Sequence, residues 1–344
     1  MSVGYYPVAR DSDQGLEPAP ARWQHAIKTA IRDPFELCRR LQLPRELAQA
    51  AAASLGTFPL FVPEAYLARI RLGDPHDPLL RQVLPRSEET EVRPGDLADP
   101  VGDGAATLSP GLLQKYQSRV LMVTTGACAV HCRYCFRREF PYAEGPRSVA
   151  AWEPALAQIA ADPSLREVIL SGGDPLMLVD GLLAELVERL ALIPQLRRLR
   201  IHTRLPIMIP ERVNRTLLAW LTTSRLTPWV VVHANHPAEL DKPVLNSLAR
   251  LIDAGIPVLN QAVLLRGVND SVEVLAELCE RLIDARVQPY YLSQLDRVRG
   301  AAHFEVPVAE GLLLIEELRR RLPGFAIPRY VQEVAGAAYK VPLA

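Results

Sequence analysis

From residue 111 onward the sequence alternates between two textures, and this alternation constrains the fold more than any other feature. Six short apolar or β-branched runs lie at 120–125, 167–170, 199–203, 229–233, 258–265 and 290–295. Five amphipathic stretches, at 151–161, 182–192, 211–222, 243–254 and 272–285, separate them. Each has the length and spacing of a helix that covers a parallel sheet. The pattern predicts an α/β fold, a partial (β/α)6 TIM-like barrel. A doubly wound open sheet has the same alternation, because strand order is not written in the sequence.

Residues 1–110 lack strand alternation. They carry helical stretches around 26–30, 34–41 and 45–53, broken by prolines and by polar tracts at 74–77 and 87–103. The expected organisation is a mostly helical region 1–110, a barrel over 111–300 and a short C-terminal segment 301–344. Lys+Arg and Asp+Glu balance at 39 each, so no global positive field exists to attract nucleic acid or an anionic bilayer. No apolar run approaches the ~20 residues of a membrane span, and the first six residues lack the features of a signal peptide. A cytoplasmic chain with a small-molecule partner is expected.

Five cysteines are present, an odd number that argues against a disulfide framework. Cys38 and Cys279 stand apart and read as small buried hydrophobes. Cys128, Cys132 and Cys135 fall within eight residues, Cys-Ala-Val-His-Cys-Arg-Tyr-Cys. Structural zinc sites want four protein ligands, and no second Cys or His pair follows at zinc spacing, although His131 lies inside the motif. Three thiolates on one loop suit a four-iron cluster held at three corners, with the fourth iron open to another ligand.

Ligands of parallel α/β folds gather at the carboxyl ends of the strands. Polar and glycine-rich groups recur at those positions here. Cys128 follows the first run, Ser171-Gly-Gly-Asp-Pro the second and His202-Thr-Arg the third. His233-Ala-Asn-His follows the fourth, Asn260-Gln261 lies in the fifth, and Asp296 follows the sixth. One mouth collects them.

Cys-x3-Cys-x2-Cys after the first strand and Ser-Gly-Gly-Asp-Pro after the second resemble the radical S-adenosylmethionine enzymes. Within that superfamily, several segments are similar to lysine 2,3-aminomutases: 110–119 (Pro-Gly-Leu-Leu-Gln-Lys-Tyr-Gln-Ser-Arg), 135–138 (Cys-Phe-Arg-Arg), 200–204 (Arg-Ile-His-Thr-Arg), 264–270 (Leu-Leu-Arg-Gly-Val-Asn-Asp) and the near-terminal Lys340. The likeness runs from about Trp23 to the end. The segments 172–177, 135–142 and 300–304 more closely resemble the EpmB branch, which makes β-lysine for elongation factor P.

The resemblance implies that Cys128, Cys132 and Cys135 bind a [4Fe-4S] cluster whose open iron chelates S-adenosylmethionine. Backbone at Ser171, Gly172, Gly173 and Asp174 would receive the amino group of that cofactor, with His233 and Gln261 beside it. Missing side chains at Gly172 and Gly173 favour close backbone approach. Lys340 would be the Schiff-base partner of pyridoxal 5′-phosphate, since an aldehyde cofactor needs a primary amine. Lys115, Tyr116 and Arg119 match positions near its ring and phosphate. For the substrate, Arg137 matches the carboxylate-binding position, and Asp296 and Glu333 match two acids that would select a side-chain ammonium when both are ionised.

The implied activity is isomerisation of free L-lysine to (R)-β-lysine, with an external one-electron reductant. A separate ligase would attach the product to elongation factor P. Three departures from the family pattern stand out. Glu333 replaces an aspartate, Val334-Ala-Gly-Ala-Ala-Tyr replaces a glycine-rich approach to the lysine, and Ser271 stands at a zinc-ligand position, so no zinc is expected and no metal-linked oligomer is assumed. Alternatives are an aminomutase acting on arginine or glutamate, and a zinc or iron-sulfur module that binds a protein partner.

Overall fold

The structure is a computed structural model that describes residues 20–56, 58–142, 145–146 and 148–344. The expectations for the first six residues, and for the rest of 1–19, lie outside these. A helical layer comes first: α1 (Pro20–Lys28), α2 (Pro34–Arg40), α3 (Arg45–Ala53), α4 (Glu64–Leu67) and α5 (Pro78–Arg81). Side-chain caps explain two of the starts. Asp33 accepts from the Phe35 N–H, and Asp77 accepts from Leu79 and Leu80, each ahead of a proline suited to the first turn.

Two short strands, β1 (Thr107–Ser109) and β2 (Leu112–Leu113), lead into β3 (Arg119–Thr125). Strand and helix then alternate: α6 (Glu153–Ala161), β4 (Glu167–Gly172), α7 (Asp180–Ala191), β5 (Arg198–His202), α8 (Leu205–Met208), α9 (Arg215–Thr223) and β6 (Thr227–Val232). The series continues with α10 (Lys242–Asp253), β7 (Val258–Val263), α11 (Val272–Asp284), β8 (Gln288–Ser293), α12 (Val308–Arg321), β9 (Arg329–Gln332) and β10 (Val341–Pro342). All ten strands form one sheet in chain order. Strands β3 to β9 are parallel, and the flanking β1, β2 and β10 pair antiparallel. Sequential order with no reversal rules out the doubly wound alternative. Among the described residues β1 and β10 do not pair, so the barrel is partial.

The six expected strands are present, and a seventh parallel strand joins them. Leu292 of β8 lies opposite Tyr330 of β9, which reaches its place through α12. The single helix expected over 211–222 is instead broken. Pro210 opens a 3-10 turn, and Asn214 caps a fresh start by accepting from the Leu217 N–H at 2.9 Å. The last residues of the span expected to lack strands contribute β1.

One apolar core joins the layers. Val120, Val168, Leu199 and Val230 pack with Leu183, Leu217 and Leu248 from the helices, and Trp23, Leu37, Tyr66 and Leu79 of the first layer enter the same cluster. A second cluster, with Leu275, Cys279, Ile315, Leu318 and Tyr330, fixes α11 and α12 against β8 and β9. Cys38 and Cys279 are buried among apolar neighbours, as their isolation implies. No helix among the described residues is long and apolar enough to cross a membrane.

The seat of α12 generates a test. Gly311 faces the fully buried Tyr330, and a Cβ there would lie 2.2 Å from the phenol oxygen. Helix propensity alone would favour alanine by ~1 kcal/mol, but overpacking against a buried ring costs about 1–3 kcal/mol. Gly311→Ala is expected to lower the urea midpoint of the protein; an increase would show that α12 is not held this way.

Candidate active site

The carboxyl ends of seven parallel strands define one mouth, and the residues that follow them supply its polar groups. After β3, the loop carrying Cys128, Cys132 and Cys135 is held from both sides. Toward the helical layer, Arg133 N–H donates to Gln82 O at 2.9 Å, and the Arg133 guanidinium pairs with Glu89, which Arg138 also reaches at 2.9 Å. His131 is drawn away from the thiols: its Nδ1 lies 2.7 Å from Pro59 O and its ring stacks on Phe58. Toward the barrel, Arg204 Nη1 donates to Cys132 Sγ at 2.7 Å.

The three thiols are free, and burial pushes two of them up. Cys128 is raised well above the usual thiol range by burial, then by Asp174 and the other two cysteines, and Cys135 is raised to about 11 by burial and Cys132. Thiols that suppress one another's ionisation suit a site where cationic iron is the counter-charge. No three His, Cys, Asp or Glu groups among the described residues converge on a single ion. A cluster asks for something different, one sulfur per iron corner.

After β4, the glycine pair serves close approach, with the protein backbone itself as the neighbour. A Cβ on Gly172 would lie 2.5 Å from Thr125 O, and one on Gly173 would lie 2.4 Å from Ala127 O. Gly172 also has φ +124°, which favours glycine. Gly173 N–H donates to Thr125 O at 2.7 Å and Asp174 N–H to Ala127 O at 2.8 Å, so the segment is stitched to the root of the cysteine loop. The Asp174 carboxylate is fully engaged. It accepts from Thr203 Oγ1 and from the N–H groups of Leu176, Arg204 and Leu205. The Gly172 carbonyl accepts from Tyr142 Oη at 3.1 Å, and Ser171 Oγ accepts from Arg137 Nη1 at 3.1 Å.

His233 follows β6, with Nε2 3.2 Å from Tyr134 Oη, and burial and the Arg204 charge push its pKa down to about 3. It is a neutral imidazole. Gln261 lies in β7 opposite Tyr291.

The remaining residues form a second group around the β9–β10 hairpin. Pairing of Gln332 with Val341 sets Glu333 and Lys340 across from each other, and Lys340 Nζ lies 2.5 Å from Glu333 Oε2. Tyr116 Oη donates to Glu333 Oε1 at 2.6 Å. Lys115 Nζ sits 2.7 Å from Asp103 Oδ1 and 3.6 Å from Glu333. Arg119 packs over the Tyr116 ring at 4.7 Å. A cavity of about 190 Å³ opens beside Lys115 and Glu333, walled by Val101, Gly102, Gly336 and Ala337.

Arg137 and Asp103 bridge this group to the glycine segment. Arg137 Nε donates to Asp103 Oδ2 at 2.7 Å, and its Nη2 has no partner among the described residues. Burial opposes ionisation of Asp103, but Arg137 and Lys115 more than offset it and hold the carboxyl below its usual range. Sequence reasoning passed over Asp103, which it read as the end of a polar loop. His202 was placed at the mouth by its position at the end of the third run, without a role; its buried Nε2 has no partner among the described residues, and its charging is suppressed by burial, then by Arg200, Lys340 and Arg137.

The two acids behave differently. Burial of Glu333 is outweighed by Lys340 and Tyr116, which hold it ionised below the usual range. Burial and the neighbouring Glu333 raise Asp296 to about 7, against the opposing pull of Lys340. Ionisation of both at neutral pH therefore requires more positive charge than Lys340 and Lys115 provide. The group that Glu333 holds is the Lys340 ammonium, a primary amine at the end of a four-carbon chain.

The profile of the Radical SAM superfamily matches residues 122–279. The chain is 44% identical over 329 residues to the L-lysine 2,3-aminomutase of Escherichia coli (strain K12), covering 95% of each chain. It is 41% identical to the L-lysine 2,3-aminomutase of Haemophilus influenzae, covering 92% of this chain and 94% of that one. Identity to that of Buchnera aphidicola subsp. Baizongia pistaciae is 38%, over 93% and 94%.

Asp296 yields a pH prediction for the ligand-free protein. Between ~4, the ordinary carboxylate value, and 7, the folded chain holds a proton that the unfolded chain releases. Stability therefore falls as pH rises through that window. Asp296→Asn lacks this loss, so its melting temperature relative to wild type is expected to rise from pH 5 to pH 8. A difference that stays constant would contradict the raised Asp296.

Proposed function

The chain belongs to the L-lysine 2,3-aminomutase family of the radical SAM superfamily, and from that premise we propose that it isomerises free L-lysine to (R)-β-lysine. The observation that carries this reading is the Lys340 ammonium on Glu333 beside Asp296. A pocket that holds the end of one lysine side chain offers the same contacts to another.

Cys128, Cys132 and Cys135 would hold a [4Fe-4S] cluster, and the carbonyls of Ser171, Gly172, Gly173 and Asp174, with His233 and Gln261, would line S-adenosylmethionine. Lys340 supplies the primary amine for pyridoxal 5′-phosphate, with Lys115, Tyr116 and Arg119 beside it. Bound together, these groups supply one-electron chemistry and an activated amino acid.

The chain's own contribution is placement and charge. Arg137, anchored through Nε on Asp103, keeps Nη2 for a substrate carboxylate. Asp296 and Glu333 take the ammonium at the far end, and a glutamate substrate would meet repulsion there. Neutral His233 lines the mouth without adding a second cation beside Arg204. Burial of Arg137, Ser171 and Asp174 keeps water from the floor of the site. The product would pass to the ligase that attaches β-lysine to elongation factor P, and an external one-electron donor would serve the cluster.

The test is anaerobic reconstitution with iron and sulfide, followed by chiral analysis of products from labelled L-lysine. (R)-β-Lysine is expected only when S-adenosylmethionine and pyridoxal 5′-phosphate are both present. Preference for glutamate or arginine would assign another substrate, and zinc without iron would favour a binding module. Lys340→Ala is expected to keep its iron and lose product. Asp296→Asn is expected to raise KM for lysine by about ten- to a hundredfold, the ~1.5–3 kcal/mol of a charged hydrogen bond. Release of β-lysine to a purified ligase and elongation factor P tests the downstream link.

A further inference from the structure

One arm of Arg204 is committed to a cysteine sulfur, and the rest of the side chain is held so that it stays there. Nη1 donates to Cys132 Sγ at 2.7 Å, while Nη2 donates to Gln82 Oε1 at 2.7 Å and to Glu239 Oε2 at 2.8 Å. The backbone N–H is tied to Asp174 at 2.7 Å. Tyr66 and Tyr134 cover the guanidinium at 5.9 and 5.8 Å. Glu239 is fully buried and equally fixed: its other oxygen accepts from Gln82 Nε2 and from the N–H groups of Asn235 and His236. Neither charge can swing away to solvent.

A buried arginine paired only with Glu239 would be electrically complete. The third contact, to sulfur, is the unexplained one. It places a fixed N–H dipole and a nearby positive charge against one of the three thiols, in surroundings where charge is weakly screened.

We propose that Arg204 is a positioning residue that sets the reduction potential of the four-iron cluster, a proposal that rests on the cluster reading of Cys128, Cys132 and Cys135. Reduction transfers one electron from an external donor to the cluster and adds one negative charge, with no protein bond formed or broken. An N–H···S hydrogen bond and an adjacent cation stabilise the more negative, reduced cluster, which raises its potential. Glu239 opposes this through its own charge, so the fixed pair sets the value by difference.

Substitutions at the two positions must act with opposite sign. The experiment is a redox titration with dithionite, followed by electron paramagnetic resonance, on protein reconstituted with iron and sulfide and without S-adenosylmethionine. Arg204→Gln is expected to shift the midpoint to more negative potential, and Glu239→Gln to less negative potential. A structural role alone would give shifts of no fixed sign. If only one variant folds and carries the cluster, its shift decides. A midpoint equal to wild type, or a shift of the wrong sign, overturns the proposal. Wild-type protein that takes up no iron overturns the cluster reading on which it stands.

Discussion

The mouth of this barrel depends on a carboxylate that does no visible chemistry. Asp174 lies buried where β4 ends, and its two oxygens accept from Thr203 Oγ1 and from three backbone N–H groups on the turns after β4 and β5. Its own N–H reaches Ala127 O at the root of the cysteine loop. Three consecutive strand ends are therefore fixed through one residue. Removing one partner of such a buried array leaves the others unpaired, which costs more than the bond itself is worth. Burial raises Asp174 even so, and its four donors work to keep it ionised. The close packing behind Gly172 and Gly173 follows from the same arrangement, because backbone lies on backbone where Asp174 pulls β4 against β3.

The helical layer explains how a long loop keeps three cysteines in place. Between β3 and α6 the described residues form only short 3-10 turns, which leaves few regular hydrogen bonds to hold them. Arg133, fully buried, takes Glu89 and Phe58 O as partners, and Arg138 shares the same glutamate. Breaking a buried ion pair by removing one member costs about 3–5 kcal/mol, so this triad ties the cysteine loop to the 87–90 turn. Gln82 does the same from a neighbouring turn, meeting Arg204, Asn235 and Tyr134. The front of the chain is thus a wall of the site as well as part of the core.

The strands β3 to β8 were legible because each is a run of apolar or β-branched residues bounded by polar groups, and the gathering of three cysteines on one loop after β3 because they fall within eight residues. β9 was not legible. It is four residues, Arg-Tyr-Val-Gln, and only Tyr330 packing beneath α12 and the parallel pairing with β8 make it a strand. That omission hid why Glu333 belongs with Asp296: both follow parallel strands at the same end of the sheet. The break at Pro210 and Asn214 was hidden for a different reason, since apolar spacing continues across it while capping restarts the helix. Arg204 was placed at a strand end, but its role and those of Glu239 and Asp103 could not be found from spacing, because the contacts to Cys132, Gln82, Glu239 and Arg137 that define them span 34 to 157 residues. Lys340 was legible through resemblance alone; in composition it is an ordinary terminal lysine.

On the proposed reading, the charges around the hairpin would give the substrate site its logic. Lys115, Lys340 and Arg137 face Asp103, Glu333 and Asp296, three against three. Asp103 is satisfied by Arg137 and Lys115, and Lys115 reaches Glu333 only at 3.6 Å, which leaves Lys340 as the main cation for both remaining acids. One ammonium between two acids is too little, and Asp296 rises to about 7 in response. On the proposed reading, Lys340 Nζ would be tied to the aldehyde cofactor and drawn from its place on Glu333. The acids would then be short of a neighbouring ammonium when the substrate arrives. A side-chain ammonium restores what Lys340 gave up, a neutral side chain restores nothing, and an acidic one adds to the deficit. On that reading, selectivity for a lysine-like substrate would follow from the exchange of one primary ammonium for another, without any group dedicated to excluding the rest.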